Sequence, residues 1–406
     1  MIYMSLSFPL LLDGAMGTQL YKHGYQPGIC PESWCLEHPE EVLAIQRAYV
    51  SAGSQVIYAP TFGANRTVLE RNGIFNQVEA FNLRLVQLSR EAAAGKALVA
   101  GDISSIGAML YPIGNFTFED VYQVYHEQAA ALEKAGVDLF VIETMTNLAE
   151  ARAALLAVKA VSDKPVFVTF SCSETGRTMM GTDVCAALSV MQGMGVDAFG
   201  LNCSVGPQEI AAQIRRLAPY ASVPLIAKPN AGLPRTAAGG TVYDVSSDQF
   251  ASFIPELASA GVQIFGGCCG TDAGYVSAIA DALSTVSVKK VSHPVPAGLP
   301  SATERDFFLL PEDVAIAEVF SCNDDLEENL SDAELGELIG VKIESSEDLS
   351  AFSDCQYAVS NPLCILCEDA QLLEKALRCY QGRALYEGSL PDSVLLPLAQ
   401  KYGLIF

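Results

Sequence analysis

The feature that most constrains the fold is a repeat between residues 10 and 285, in which a short apolar run precedes an amphipathic stretch. In the amphipathic stretches apolar residues recur at spacings of three and four, which is typical of helices buried on one face. The predicted strands are Leu10–Asp13, Gln55–Ala59, Ala97–Gly101, Leu139–Glu143, Val166–Phe170, Ala198–Asn202, Pro224–Lys228 and Val262–Phe265. Eight strand–helix units of this length predict a (β/α)8 barrel. A doubly wound sheet is the alternative, but no dinucleotide-binding fingerprint accompanies the repeat.

The helical stretches between these strands have recognisable ends. Their predicted bounds include Glu41–Ala52, Val78–Ala94, Phe118–Ala135, Ala149–Val161 and Gln208–Leu217. Glycine follows the last turn of several helical stretches, as in Ala52-Gly53 and Ala135-Gly136, which is a common way for a helix to stop. Residues just past the strand ends then lie on the face where such barrels place their active sites.

Composition excludes several classes of protein. Half of the 406 residues are hydrophobic, which is enough for more than one domain, and no apolar run reaches the length of a membrane span. The net charge of −23 argues against nucleic acid or an anionic membrane as a partner. The apolar start, Met1 to Leu12, lacks a basic leader, and we interpret it as the approach to the first strand. Twelve cysteines without a secretory signal then indicate reduced thiols or metal ligands in a cytoplasmic protein.

A change in charge predicts a domain boundary. Residues 301–406 carry 21 acidic and 6 basic side chains, a net of −15, whereas the preceding 300 residues have a net of −8. The change follows a Pro-rich segment, so we predict a barrel over residues 1–290, a linker over 291–300 and an acidic α/β module over 301–406. Within the module, a solvated helix or helix pair is predicted for Asp324–Asp348, short strands for Tyr357–Val359, Leu363–Leu366 and Ala384–Tyr386, and helices for Asp369–Cys379 and Val394–Tyr402.

The strongest chemical signal is a pair of adjacent cysteines, Cys268 and Cys269, inside Gly266-Gly267-Cys268-Cys269-Gly270. Neighbouring side chains on a strand point to opposite faces, so both sulfurs reach one ion only where the strand ends, and glycines permit that backbone. Cys203, at the end of another predicted strand, is the best third ligand. Three thiolates with an open fourth position predict a zinc site that holds a substrate thiol as a nucleophilic thiolate, and hence alkyl transfer to sulfur. The alternative is three buried structural thiols.

Two acidic residues point to an amino-acid substrate. Asp13 ends a strand before the turn Gly14-Ala15-Met16-Gly17, and Glu143 ends another strand. We expect the two carboxylates to hold an ammonium group and the turn amides to hold a carboxylate. The alternative is that Asp13 caps a turn or helix. For Asn65, Lys228 and Asn230, which also lie in loops on this face, turn chemistry and a substrate role are equally weighted.

A second cysteine motif, Cys364-Ile365-Leu366-Cys367, has redox or half-zinc spacing. No second CxxC accompanies it, and both intervening residues are apolar. We interpret it as a pair of partly buried strand cysteines.

Several motifs together resemble the homocysteine S-methyltransferase family, with the closest likeness to the homocysteine-binding barrel of cobalamin-dependent methionine synthase. They are Asp13-Gly14-Ala15-Met16-Gly17-Thr18, Thr61-Phe62-Gly63-Ala64-Asn65, Glu143-Thr144-Met145, Asn202-Cys203-Ser204, Lys228-Pro229-Asn230-Ala231-Gly232-Leu233-Pro234 and the glycine-flanked cysteine pair. The resemblance implies zinc on Cys203, Cys268 and Cys269. It also implies homocysteine near Asp13, the amides of Ala15 and Met16, Glu143 and Asn202.

The expected activity is zinc-dependent methyl transfer to homocysteine or a related thiol, which forms methionine from homocysteine. The expected donor is a methyl-corrinoid carried by a separate protein. Betaine or S-methylmethionine is the alternative donor, and a non-catalytic zinc- or thiol-binding protein is the alternative function. Residues 301–406 are expected to be a remnant of a folate-binding barrel or a module that docks a partner.

Overall fold

The computed structural model describes residues 7–111, 113–237, 240–289 and 297–406. The chain divides into two compact units, each made of segments that are not contiguous in sequence. The first unit comprises Met1–Met179, Asp197–Ala218 and Val223–Ser292. The second comprises Met180–Val196, Pro219–Ser222 and His293–Phe406.

The first unit contains a barrel of parallel strands. Its strands are β1 (Leu10–Leu11), β2 (Val56–Tyr58), β3 (Leu98–Ile103), β4 (Leu139–Met145), β5 (Val166–Phe170), β6 (Ala198–Asn202), β7 (Leu225–Lys228), β8 (Arg235–Ala237), β9 (Gly240–Val242) and β10 (Val262–Phe265). Apart from the antiparallel β8–β9 hairpin, these described strands form one sheet in the order β1-β10-β7-β6-β5-β4-β3-β2. Gln55 N donates to Leu11 O at 2.8 Å, which joins the two ends of the sheet. The predicted (β/α)8 barrel is confirmed, and both ends of each barrel strand lie within two residues of their predicted positions.

Helices follow the strands along the chain. They are α1 (Gly17–Lys22), α2 (Pro31–Glu37), α3 (Pro39–Ser51), α4 (Arg66–Arg71), α5 (Val78–Ala93), α6 (Phe118–Ala135), α7 (Leu148–Val161), α8 (Val184–Gly193), α9 (Pro207–Leu217), α10 (Ser247–Ser252), α11 (Ile254–Ala260) and α12 (Ala273–Leu283), with a 3-10 turn at Ala218–Tyr220. Local sequence sets their ends: Thr117 and Asp120 form a capping box at the start of α6, and Gly136 ends that helix at φ +77°.

Apolar side chains fill the interior of the barrel. They come from successive strands and interlock as one buried cluster: Leu10, Leu12, Val56, Tyr58, Ala100, Leu139, Val141, Phe167, Ala198, Ile226 and Ile264. Such a packed interior leaves the loops after the strand ends as the place for chemistry. Among the described residues, no helix has the length and hydropathy needed to cross a bilayer.

The second unit is a small α/β assembly. Its strands are β11 (Leu299–Ala302), β12 (Phe307–Leu310), β13 (Glu318–Ser321), β14 (Ile339–Lys342), β15 (Leu363–Leu366) and β16 (Leu385–Glu387), and its helices besides α8 are α13 (Leu326–Asp332), α14 (Ser346–Asp354), α15 (Ala370–Cys379) and α16 (Asp392–Tyr402). The strands β13 to β16 form a parallel sheet in chain order, and β11 pairs with β12 as an antiparallel hairpin. Helix α8 packs against the hairpin and α16, and Ser189 Oγ donates to Pro300 O at 2.8 Å.

Several predictions for the C-terminal part need correction. The acidic stretch Asp324–Asp348 is not a helix or helix pair throughout, because Ile339–Lys342 forms strand β14 and is largely buried between two neighbouring strands. The predicted strand Tyr357–Val359 is instead a 3-10 turn at Gln356–Ala358. Of the predicted linker 291–300, residues 291–296 lie outside the described residues, and Leu299 and Pro300 already belong to β11.

Candidate functional site

The three predicted zinc ligands lie together at the carboxyl ends of two strands. Cys203 follows β6, and Cys268 and Cys269 follow β10. Their sulfur atoms all lie within 4.8 Å of one another, and the sulfurs of Cys203 and Cys269 are 3.8 Å apart. A tetrahedral zinc ion with bonds to sulfur of about 2.3 Å separates its sulfur ligands by about 3.8 Å. Among the described residues, this is the one group of three or more metal-binding side chains with such spacing.

The glycines beside the cysteine pair are required by close approaches. A side chain at Gly267 would place its Cβ 2.5 Å from Thr271 Oγ1. Gly270 has φ +87°, and a Cβ there would lie 2.5 Å from the Tyr243 ring. Hydrogen bonds from Gly267 N to Asp13 O and from Cys268 N to Pro229 O fix the turn. The glycines therefore let the backbone carry two sulfurs to one place.

The thiols stabilise one another's charge unevenly. Hydrogen bonds from Cys268 and then Cys269 lower the pKa of Cys203 to about 3. The same contact with Cys203 raises the pKa of Cys269 to about 11 and that of Cys268 well above its ordinary value. The hydrogen bonds among the sulfurs thus favour the thiolate form of Cys203. The cluster is a donor set for a soft cation, because such a cation can replace the shared protons.

A buried amide oxygen beside this cluster fits a metal site as well. Asn230 is 2 % exposed and its Oδ1 has no hydrogen-bond partner in the described part of the chain. Its side chain also forms a hydrogen bond that lowers the pKa of Cys203. An unpaired buried acceptor is costly in a protein interior unless a cation or donor completes it. The residues present therefore fit a bound metal ion.

A cavity of about 270 Å³ opens beside the cysteines. Most of the predicted site residues line it together with several that carried no predicted role; the lining includes Asp13, Ala15, Met16, Glu32, Tyr58, Asp102, Glu143, Cys203, Lys228, Cys268 and Cys269. Asn202 is not among the lining residues. The ends of β1, β3, β4, β6, β7 and β10 thus converge on one chamber, as the barrel predicts.

A buried lysine neutralises part of this acidic cavity. Lys228 Nζ lies 3.0 Å from Asp13 Oδ1 and 3.8 Å from Glu143 Oε2, and it stands 3.6 Å from the centroid of the Tyr58 ring. Burial lowers the pKa of Lys228, but attraction to Asp13, Glu143 and the other acidic groups around it together outweighs burial and raises the pKa well above the ordinary value. Asp13 Oδ2 also accepts a hydrogen bond from Tyr58 N at 2.7 Å. Lys228 is therefore a charged counterion for the carboxylates.

Two other carboxyl groups of the cavity are less well neutralised. Burial raises the pKa of Glu143 to about 7, although Lys228 opposes the shift. Burial and then the charge of Glu143 raise the pKa of Asp102 well above its usual range. The sequence places Asp102 directly after an apolar run, among the strand-end residues expected on the active face, and in the structure it lines the cavity.

Asn202 supports the cavity from behind. Its Oδ1 accepts hydrogen bonds from Thr144 N and Thr169 Oγ1, both at 2.9 Å, and its Nδ2 donates to Thr144 Oγ1 at 2.7 Å. Thr144 has φ +60°, a conformation that β-branched residues seldom adopt. Asn202 thus fixes the strained backbone of strand β4 at Thr144, next to Glu143.

The turn after Asp13 is held by its surroundings. Ala15 N donates to Thr271 Oγ1 at 3.2 Å, and Tyr49 Oη donates to Ala15 O at 2.6 Å. Met16 precedes helix α1, and its carbonyl accepts from Gln19 N and Leu20 N.

Asn65 caps α4 by accepting from Val68 N, which is the turn role weighed in the sequence. Cys364 lies in β15 and Cys367 directly after it, and both are fully buried, at 2 % and 3 % exposed, rather than partly buried as predicted.

Comparison with known proteins adds two kinds of similarity. Residues 10–283 match the family model described as homocysteine S-methyltransferase. The chain is 30% identical over 292 residues to methionine synthase from Mycobacterium leprae and 29% identical over 294 residues to that from Mycobacterium tuberculosis. These alignments cover 67% and 68% of this chain but 24% of each relative, so the chain matches about a quarter of their length.

Solved structures resemble the same part of the chain. The metallated form of the homocysteine methyltransferase MmuM from Escherichia coli has a TM-score of 0.56 at 25% identity, and covers 66% of this chain and 94% of its own. The oxidized form of that protein has a TM-score of 0.57 at 23% identity, with coverage of 67% and 95%. The neighbour named as metallated shows that a barrel of this kind exists with bound metal.

Proposed function

The chain belongs to the homocysteine S-methyltransferase family, and from that premise we propose that it is a zinc-dependent enzyme that moves a methyl group onto the thiol of homocysteine. The observation that carries the proposal is one cavity bordered by three clustered cysteine sulfurs and by several buried carboxyl groups. The sulfurs suit a metal that binds thiols, and the carboxyl groups suit the ammonium group of an amino acid.

Cys203, Cys268 and Cys269 would hold the zinc ion. When bound, zinc would keep a substrate thiol deprotonated at neutral pH, because a metal favours the ionised form of its sulfur ligands. The chain's own contribution is to bring the three sulfurs within 4.8 Å of one another. Support comes from the unpaired Oδ1 of Asn230 and from the similarity to a metallated methyltransferase.

The amino-acid end of homocysteine would lie among Asp13, Glu143 and the turn at Ala15 and Met16. Glu143 is 9 % exposed and retains weaker contacts than Asp13, at 3.4 Å to Asn202 Nδ2 and 3.8 Å to Lys228 Nζ. It is therefore the better placed of the two to exchange a partner for an ammonium group. Asn202 contributes by fixing the backbone of β4 at Thr144, rather than by lining the cavity.

The methyl donor is proposed to be a methyl-corrinoid carried by a separate protein. Large apolar side chains stand exposed in loops that follow β2, β3, β5 and β7; we call this set the apolar rim, and it consists of Phe62, Met109, Tyr111, Met179 and Leu233. Met179 is 79 % exposed and Tyr111 is 69 % exposed. Exposed apolar groups in several loops at the carboxyl ends of the strands favour docking of a macromolecule over entry of a small polar donor. Betaine and S-methylmethionine are the competing donors.

Metal analysis and methyl transfer together test the proposal. The purified protein should contain about one zinc per chain, and Cys269→Ala should lose it. Cys364→Ala is the matched control, because Cys364 is buried in the second unit and should leave zinc unchanged. Methionine formation would be measured with a methyl-corrinoid protein, betaine and S-methylmethionine in parallel.

The outcomes separate the alternatives. Methionine from the corrinoid donor alone supports the proposal, whereas methionine from betaine or S-methylmethionine alone replaces its donor. Bound zinc and homocysteine without turnover with any of the three donors would favour a non-catalytic binding protein. Absence of zinc from protein with reduced thiols would contradict the metal assignment.

A further inference from the structure

Two consecutive residues after strand β6 have a backbone conformation that is unfavourable for their type. Cys203 has φ +60° and Ser204 has φ +57°, and neither is glycine. A side chain at a left-handed φ crowds the carbonyl that follows it, so glycine usually takes such positions. Glycine could occupy position 204 without this strain, yet the chain has serine there. Strain that is kept beside a site indicates that the side chains involved are used.

The left-handed turn explains how Cys203 reaches the other cysteines. Asn202 Nδ2 lies 3.8 Å from Cys268 Sγ, so the last residue of β6 already faces the sulfur cluster. In a continued strand the next side chain would point to the opposite face of the sheet. The turn ends the strand there, and Cys203 Sγ lies 3.8 Å from Cys269 Sγ. The position of the Cys203 sulfur therefore depends on the conformation of the turn.

Main-chain hydrogen bonds tie this turn to the end of β7. Cys203 N donates to Lys228 O at 3.2 Å, and Asn230 N donates to Val205 O at 3.1 Å. Val205 N also donates to Cys203 O at 2.7 Å, which closes the turn around Ser204. Glycine at position 204 would permit the same bonds, so they do not account for the serine.

The side chain of Ser204 links the turn to the neighbouring strands. Its hydroxyl is hydrogen-bonded to the hydroxyl of Ser171, and we call these two residues the serine clamp. Ser171 is 7 % exposed and directly follows β5, and its backbone N donates at 2.9 Å to the carbonyl of Met145, the last residue of β4. Neither serine is among the residues that line the cavity, so neither is placed to touch the substrate.

We propose that the serine clamp is a positioning device for the zinc site, which holds the strained turn and so aims the sulfur of Cys203 at the metal. The inference rests on the proposed function, because it takes the three cysteines as zinc ligands. Without the hydroxyl link, the strain at Cys203 favours a return to an ordinary φ, and the site then offers two sulfurs instead of three. Ser171 and Ser204 thus act through Cys203, as residues that orient metal ligands do.

The test measures zinc affinity and folding stability in the same variants. Ser171→Ala removes one hydroxyl, whereas Ser204→Gly removes the other and also the strain at its position. The zinc dissociation constant, measured by competition with a chelating dye, should rise about 10- to 100-fold in each variant, the range typical of lost contacts behind metal ligands. The double variant should lose no more than the larger single loss, because both changes break one link.

Folding stability distinguishes positioning from a general structural role. The urea midpoint of metal-free Ser204→Gly should stay close to that of the unaltered chain, because relief of strain offsets the lost hydrogen bond. Zinc affinity should therefore fall without a matching fall in stability.

Cobalt(II) bound in place of zinc reports on the ligands directly. Absorption by charge transfer from thiolate to cobalt depends on the number of bound thiolates, so it should fall by about one third where Cys203 leaves the metal. Cys203→Ala gives the reference spectrum for two thiolates, and the spectra of both serine variants should move toward it. A structural role alone would leave the spectrum of the metal-bound fraction unchanged.

Two control variants match these changes away from the cysteines. Ser173→Ala removes a hydroxyl that is hydrogen-bonded to Thr175 Oγ1 at 2.8 Å, in the same loop after β5. Ala94→Gly relieves a left-handed residue, with φ +48°, at the end of helix α5. Both should leave the zinc dissociation constant within about twofold of the value for the unaltered chain.

Unchanged zinc affinity and an unchanged cobalt spectrum in Ser171→Ala and Ser204→Gly would overturn the inference. Additive losses in the double variant would also overturn it, as would a loss of zinc that follows a lower urea midpoint in Ser204→Gly. An unaltered chain that binds neither zinc nor cobalt would instead refute the metal assignment of the proposed function. The unaltered chain thus tells the failure of the proposed function from the failure of the serine clamp.

Discussion

Replacing Lys228 with methionine is expected to destabilise the first unit strongly. The lysine side chain is 4 % exposed, and its ammonium group lies 3.0 Å from Asp13, 3.8 Å from Glu143 and 3.6 Å from the Tyr58 ring centroid. Methionine keeps most of the length and apolar volume of lysine, so the change removes the charge more than the packing. It leaves Asp13 and Glu143 buried beside one another without a cation.

The magnitude follows from that burial. Removing one partner of a buried ion pair costs about 3–5 kcal/mol, most of it the penalty of the charge left behind. Lys22→Met is the matched control, because Lys22 pairs with Asp272 at 3.3 Å with both side chains largely exposed, at 55% and 42%. Exposed pairs contribute about 0–1 kcal/mol. The two variants should therefore differ by several kcal/mol despite the same substitution.

Tryptophan fluorescence gives an assay that reports on the right unit. Trp34 is the single tryptophan of the chain and lies in helix α2 of the first unit, 5 % exposed. Urea unfolding followed at this residue gives the free energy of unfolding of the first unit from the midpoint and slope. The double variant Asp13→Asn with Lys228→Met should recover part of the loss, since one of the orphaned charges is gone.

The pH dependence has a definite sign. Without Lys228, the carboxyl groups relieve their burial by taking up protons in the folded state, and acids whose pKa is raised by folding stabilise that state as the pH falls. The deficit of Lys228→Met should therefore shrink between about pH 8 and pH 5. A deficit below about 1 kcal/mol at neutral pH, or one that grows on acidification, would refute the reasoning.

Three further predictions concern other parts of the chain. Met179→Glu, in the apolar rim, should slow methyl transfer from a methyl-corrinoid protein but not from free methylcobalamin; equal slowing of both contradicts the docking role. Burial raises the pKa of Asp197 to about 6 from 3.8, so the contribution of this residue to the free energy of unfolding falls as the pH rises across that interval. Urea unfolding at pH 4 and pH 7 should therefore show a smaller fall in stability for Asp197→Asn than for the unaltered chain. Deleting residues 297–406 should expose the apolar surface of α8, which is buried along most of its length and packs on β11, β12 and α16. The exposed surface should bind a hydrophobic dye and cause association that size-exclusion chromatography detects. A monodisperse product that binds no dye would contradict this prediction.

The family and the barrel could be predicted because their signals are local or periodic. Each strand is an apolar run with a polar end, and each helix shows its own spacing and stop. The adjacency of Cys268 and Cys269 needs only one strand end and its glycines. Even their approach to Cys203 follows once the strands are placed in a barrel, because strand ends share one face.

The sequence could not predict the pairing of side chains across the cavity. Asp13 and Lys228 are 215 residues apart, so their contact depends on the closure of the whole barrel. The hydrogen bond between Asn202 and Thr144 also depends on the closed barrel, because the two residues are 58 positions apart and Thr144 has a strained backbone conformation. From the local sequence alone, such residues are assigned to substrate binding or to turns, because no sequence spacing marks a contact between residues so far apart in the chain.

The acidic C-terminal part misled the sequence reading for a different reason. Strand β14 is short and contains Gly340, whose Cβ position would lie 2.9 Å from Leu366 Cδ1 and 3.0 Å from Val319 Cγ2. The glycine is there because neighbouring strands' side chains leave no room, yet its acidic surroundings hid the strand. Helix α8 likewise gave no sign that it packs with β11 and β12, more than a hundred residues later in the chain.

The presence of a lysine in a cavity proposed to bind an ammonium group has a physical reason. Asp13, Asp102 and Glu143 cannot all be buried and ionised without a cation, because desolvation would raise their pKa values until they became neutral. Lys228 supplies one charge, and the face of Tyr58 adds to its stabilisation, so the cavity can retain part of its negative charge. A fixed cation for every carboxylate would remove the cavity's attraction for the substrate's ammonium group. Without any cation, the carboxyl groups would take up protons and become neutral. One lysine beside these three acids lies between these limits, and it leaves negative charge for the ammonium group of an amino acid.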